Sequence, residues 1–191
     1  MAGALTLEAC QYYDHWEKSL REAVWDTPDY QALIDLSEEV FENPMLITNW
    51  QGKVLGYSSA YKDIPIREFW TQITETGTLP ISCLQNLRES AYFHILQEEN
   101  KVNLLHFNKI DYTCLLGLVH EKHEILLHFQ IIEYNRQITE TDLLLANTFL
   151  DVLRRVHHEI RPSYHESATY IFSQLLSGEL FLQHIGHVLS C

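Results

Sequence analysis

The sequence predicts an α+β domain, and three observations carry that prediction. Helical periodicity occupies both ends of the chain, before Asn43-Pro44 and after Thr139. Between them lie short runs rich in β-branched and aromatic residues, spaced as hairpins. The order is helix, helix, two strands, helices, three or four strands and a long helix. That order lacks the regular alternation of a parallel α/β sheet.

The first helix is expected over Thr6 to Val24. Thr6 can cap it, and Ala9, Tyr13, Trp16, Leu20 and Ala23 recur at spacings of three and four. Thr27-Pro28-Asp29 reads as the next helix start, with a capping hydroxyl, a proline at the first position and an acid in the first turn. Leu33, Ile34, Val40 and Phe41 give that helix its apolar faces. Asn43-Pro44 ends it, because the residue before proline is pushed out of the α region.

Met45 to Thr48 and Val54 to Ser58 form a hairpin around Gly52. Ile66, Phe69, Trp70 and Ile73 then mark a helix between Pro65 and Gly77. A short helix follows from Pro80 to Arg88. Strands are expected near Ala91 to Gln97, Val102 to Phe107, Tyr112 to Val119 and Glu124 to Ile132. His120-Glu121-Lys122-His123 reads as the turn between the last two, with His120 and His123 in solvent. Gly117 inside a strand suggests a close backbone approach.

Thr139-Glu140-Thr141-Asp142 has the form of a capping box opening a helix to about Ile160. One stripe of that helix carries Leu143, Ala146, Leu150, Leu153, His157 and Ile160. The other carries Leu145, Phe149, Val152 and Val156. Two apolar stripes imply two packing partners, the sheet and a second copy of the chain. Arg161-Pro162 is expected to break the helix. Ser163-Tyr164-His165-Glu166 reads as a second capping box, opening a helix through Leu176.

The chain has 191 residues, 46% of them hydrophobic, enough for a packed core. No apolar run reaches the ~20 residues that span a bilayer. The N-terminus lacks the basic and apolar regions of a secretory signal, so a cytoplasmic location is expected. Thirteen Lys+Arg against 26 Asp+Glu leave a net charge of -13. That balance repels phosphate backbones and excludes DNA binding by this segment alone. Cys10, Cys83, Cys114 and Cys191 are scattered without metal spacing and read as free thiols.

Three segments resemble one family. Leu36 to Ser59 carries Asn43-Pro44, Gly52 and Gly56-Tyr57-Ser58. The later strand pair leads into Ile138-Thr139-Glu140-Thr141-Asp142-Leu143. Phe172-Ser173-Gln174-Leu175-Leu176-Ser177-Gly178 follows. Together they resemble the N-terminal GAF/PAS-like sensor domain of PucR/CdaR-type bacterial transcriptional regulators, over roughly Tyr30 to Gly178. The resemblance implies a central antiparallel sheet of five or six strands with helices on both faces. It also implies a ligand pocket beneath the middle helices. It divides the chain into a dimerising N-terminal helix (1–26), a sensor domain (27–161) and a linker helix (162–191). That linker would lead towards a DNA-binding output domain absent from this chain.

The chemistry-bearing residues fit binding better than catalysis. His184, His187 and Cys191 share a helix spacing that suits Zn²⁺, but incidental residues at a chain end are the simpler reading, and no metal is assigned. His157 lies on an apolar stripe and reads as an interface or core histidine. His106 and His128 lie in strands among apolar residues, a mixture that suits a pocket with a few polar groups. The expected ligand-binding set is Tyr57, Ser58, Phe69, Trp70, His106, Cys114, His128 and Gln130. The expected dimer interface is Leu143, Ala146, Leu150, Leu153 and His157. No cofactor and no catalytic residue is expected. The functional expectation is a homodimeric, non-enzymatic sensor of a small metabolite. Two alternatives stand beside it: a small cysteine-dependent redox enzyme on the same scaffold, and a ligand-free dimerisation module.

Overall fold

A computed structural model of the protein describes residues 7–26, 28–64, 66, 68–88, 100–107, 112–121 and 124–165. The chain divides into two compact units, residues 1–156 and 157–191. Of the second, only the end of the last helix, to His165, is described.

The helices are α1 (Leu7–Asp26), α2 (Tyr30–Asp35), α3 (Glu38–Phe41), α4 (Glu68–Thr76), α5 (Ile81–Arg88) and α6 (Glu140–His165). The strands are β1 (Met45–Asn49), β2 (Val54–Tyr57), β3 (Asn103–Phe107), β4 (Tyr112–Glu121) and β5 (Glu124–Ile132). They form one antiparallel sheet in the order β2-β1-β5-β4-β3. The strand expected at Ala91 to Gln97 lies outside the described residues.

Helices lie on both faces. On one, Phe129 of β5 stacks on Phe149 of α6 at 4.6 Å between ring centroids. Gly117 faces the same helix, where a Cβ would meet Leu150 Cδ2 at 3.1 Å. The close approach expected at Gly117 is therefore present. Gly56 plays the same part in β2, where a Cβ would stand 3.2 Å from the Tyr30 carbonyl oxygen of α2. On the opposite face, Ile66, Trp70 and Ile73 pack with Leu46, Leu105, Cys114, Leu116, Leu118 and Ile132.

Several boundaries differ from the sequence reading. The second helix begins at Tyr30, with Asp29 accepting from the Gln31 and Ala32 backbone N–H groups, so the cap is Asp29. The same helix is interrupted at Ser37, whose hydroxyl donates to the Leu33 carbonyl at 2.8 Å. That hydroxyl also accepts from Trp16 Nε1 at 3.1 Å. A serine that binds its own backbone competes with the helix ladder, which explains the break. Trp16, Leu20 and Val24 of α1 are buried, and the Trp16 ring meets Phe41 edge-on at 5.8 Å.

The Thr139 capping box forms as expected. Thr139 N–H and Oγ1 both donate to Asp142 Oδ2 at 2.7 Å, and the Asp142 N–H returns a bond to Thr139 Oγ1 at 3.3 Å. However, α6 continues through Pro162 to His165. A proline there removes one helix hydrogen bond and crowds the carbonyl four residues back, so the helix carries it at a cost. Ser163 and His165 therefore extend α6 rather than open a new helix.

The two stripes of α6 merge into one buried face. Ala146, Phe149, Leu150, Leu153 and Val156 are all 0% exposed. Ala146, Leu150 and Leu153 thus belong to the chain's own core, which corrects their expected role at a dimer interface. A span this broad, turned wholly inward, is what a helix covering a twisted sheet requires. Leu143 is half-buried, and the exposed leucine of this helix is Leu144. His157 lies in the second unit.

Candidate ligand-binding face

Strand register decides which predicted residues meet. Leu105 and Phe107 of β3 pack into the cluster beneath α4. Alternation therefore turns His106, between them, to the α6 side. There it is exposed, with Nδ1 2.8 Å from Thr113 Oγ1. His106 does not share a face with the other candidates, which corrects its place in the expected ligand set.

The face beneath α4 gathers the rest. Cys114, Leu116 and Leu118 of β4 pair with Ile132, Gln130 and His128 of β5. Leu46 and Thr48 of β1 pair with Gln130 and His128 from the other side. His128 is 7% exposed, and its Nδ1 lies 3.5 Å from Thr48 Oγ1. Gln130 Nε2 donates to Cys114 Sγ at 3.4 Å. Thr48 was missed from sequence. Its alternation with Leu46 was the available signal.

Trp70, Phe69 and Tyr57 form the cover and rim. Trp70 is fully buried, and its Nε1 donates to the Tyr61 carbonyl at 2.9 Å. Tyr57 meets Trp70 edge-on, with centroids 6.3 Å apart, and Phe69 is partly buried against the same cluster. Ser58 is different. Its Oγ accepts from Met45 N–H at 2.9 Å, and its own N–H donates to the Met45 carbonyl at 3.0 Å. The Ser58 oxygen therefore closes the β1–β2 pairing and is not turned towards a ligand.

The β4–β5 hairpin also departs from expectation. Val119 pairs with Leu127, but His120 pairs with Ile125, leaving Leu126 as an extra residue on β5. This bulge brings Ile125 onto the α4 side, beside the buried cluster. His120 lies in β4 rather than in a solvated turn, and it is half-buried. The ladder runs on past His120 to the pair Glu121–Glu124, so local turn composition alone did not mark where the strand ends.

Cys83 and Cys114 do not suit nucleophilic chemistry. Cys114 is 0% exposed. Burial pushes the Cys83 thiol up, against a smaller opposing hydrogen bond from Ser82. A raised pKa lowers the thiolate fraction, the form that attacks. Among the described residues, no group of three or more His, Cys, Asp or Glu is placed to hold a metal ion. Among them, no helix is long and apolar enough to cross a membrane.

Away from this face, a shallow cleft of about 470 Å³ is lined by Tyr12, Tyr13, Glu39, Glu42, Arg136 and Asp142, among others. Arg136 and Asp142 are committed to each other there, at 2.7 and 2.8 Å.

The architecture matches a solved structure. The GAF domain of the Acinetobacter phosphoenolpyruvate-protein phosphotransferase superposes with a TM-score of 0.53 at 11% identity, over 82% of this chain and 96% of that one. The fold is that of a GAF domain. Looser likenesses extend to the cofactor-binding GAF domain of the nutrient sensor CodY from Clostridium difficile, at TM-score 0.46 and 16% identity, over 78% of this chain and 97% of that one. The E. coli DhaR(N)–DhaL complex gives TM-score 0.40 and 11% identity, over 98% of this chain and 60% of that one. No family model matches the sequence, and no curated protein matches it either. In this GAF fold the α4-side face of the sheet carries the polar side chains described above.

Proposed function

We propose that the chain is a ligand-sensing GAF domain of a PucR/CdaR-like transcriptional regulator. It binds a small metabolite between α4 and the sheet. One observation carries the reading. His128, Thr48 and Gln130 are polar side chains on a largely apolar sheet face that an aromatic helix covers. Apolar walls with a few directed polar groups are the usual composition of a small-molecule site. Binding shifts the balance between two arrangements of a homodimer, and a separate output domain contacts DNA. The domain itself is not an enzyme in this reading.

A thermal-shift screen of purine-pathway intermediates, sugar acids and amino acids tests it. A ligand specific to the folded state adds about 2.7 kcal/mol at a hundredfold excess over Kd. His128→Ala should abolish the shift from a hit while the variant remains folded. A hit that survives His128→Ala undiminished places the site elsewhere. Light scattering tests the homodimer, and a monomer at high concentration removes that part.

A further inference from the structure

Among the described residues, His120 Nε2 is the buried side-chain polar atom that has no hydrogen-bond partner. Buried polar groups are almost always satisfied, because an unmade bond leaves the desolvation cost unopposed. A bare imidazole nitrogen therefore needs a reason.

Its position supplies one. The bulge's extra residue is on β5, so β4 alternates regularly from Leu118 to His120. His120 thus shares the face of Leu118, beneath α4. His128 stands opposite Leu118, and Thr48 stands opposite His128. Two imidazoles and a hydroxyl thus share the hairpin end of this face, with Gln130 and Cys114 further along it. None of these groups is a carboxylate, although the chain has 26 acidic residues. Among the described residues named on this face, the polar side chains offer hydrogen-bond donors and carry no negative charge.

We infer that His120 Nε2 donates to the carboxylate of a bound metabolite, so the sensed molecule is a small organic acid. This rests on the ligand-binding reading above. The bound acid supplies the partner that the unliganded fold withholds.

Two matched probe pairs test the class in the full chain: succinate against succinamide, and benzoate against benzamide. Calorimetry should show an acid binding at least tenfold more tightly than its amide. His120→Phe should weaken that acid by about tenfold or more. The unliganded His120→Phe variant should melt no lower than the wild type, since phenylalanine needs no partner. His120→Gln, which keeps a donor, should restore part of the affinity. The His120 ring ¹⁵N resonances should move on adding the acid.

Equal binding of acid and amide, or undiminished binding by His120→Phe, overturns this inference and leaves the metabolite reading standing. So does a hit from the wider screen that carries no carboxylate. A large loss of melting temperature in both unliganded variants makes His120 structural and also overturns it. If neither these probes nor the wider screen shifts the protein, both readings fall together.

Discussion

Asn43 grips Arg136 at both poles of its backbone. Asn43 Oδ1 accepts the Arg136 N–H at 3.3 Å, and Asn43 Nδ2 donates to the Arg136 carbonyl at 2.9 Å. The same oxygen also takes the N–H groups of Tyr134 and Asn135, at 3.1 and 2.9 Å. One amide thereby satisfies the turn that leads from β5 into α6. Asn43→Ala strands these groups and should cost about 2–3 kcal/mol, measured by urea unfolding. A loss below about 0.5 kcal/mol would show that water replaces the amide.

Asp142 is the acid-sensitive member of the same corner. Burial works to raise its pKa, but hydrogen bonds from Arg136 and Thr139 outweigh it and hold the carboxyl below its usual range. The unfolded chain therefore takes up this proton at a higher pH than the folded chain. The stabilisation is complete above the ordinary carboxylate range and is lost as pH falls through the folded value. Asp142→Asn should lower stability at neutral pH and flatten its decline below about pH 4. A variant whose acid limb matches the wild type contradicts this.

Gly56 and Gly117 should respond differently to alanine. At Gly117 the new methyl meets side-chain methyl groups of Leu150 and Val102, both at 3.1 Å. Those can shift, at about 1 kcal/mol. At Gly56 the nearest backbone atoms, Tyr30 O and Gln31 Cα, stand at 3.2 and 3.3 Å. Backbone yields less readily, so Gly56→Ala should have the larger effect on melting temperature. The reverse order would mean that α2 is the looser of the two contacts.

Leu150→Arg should unfold the domain rather than release a folded monomer, since Leu150 is 0% exposed. A folded monomeric variant, seen by circular dichroism and light scattering, would return Leu150 to an interface.

The isolated chain should show no salt-sensitive affinity for duplex DNA, given its net charge of -13. Tight binding that weakens steeply with salt in a mobility-shift titration would contradict that.

The hairpin around Gly52 and the Thr139 capping box were legible because each depends on local chemistry, and Gly117 because a glycine inside a strand is itself the signal of a close approach. The broad face of α6 was not. Periodicity shows which residues are apolar, but it cannot tell one wide partner from two narrow ones. His106 was misplaced because one residue of strand register reverses every side chain, and only the pairing of Leu105 with Cys114 fixes that register. Asn43 reads locally as a helix stop before proline. Its role as a clamp depends on residues more than ninety positions away.

Gln31 has a consequence for how copies of this chain can meet. Its side-chain amide accepts the Tyr57 N–H at 3.1 Å and donates to the Tyr57 carbonyl at 2.9 Å, as a neighbouring strand would. At the other end of β2, Val54 N–H donates to the Gly77 carbonyl and Leu79 N–H donates to the Gly52 carbonyl. An open strand edge is a template on which chains add and aggregates grow. Here both ends of that template are already occupied from within. Sheet extension past β2 would require α2 to undock first, so this margin of the domain is protected against fibre-like growth.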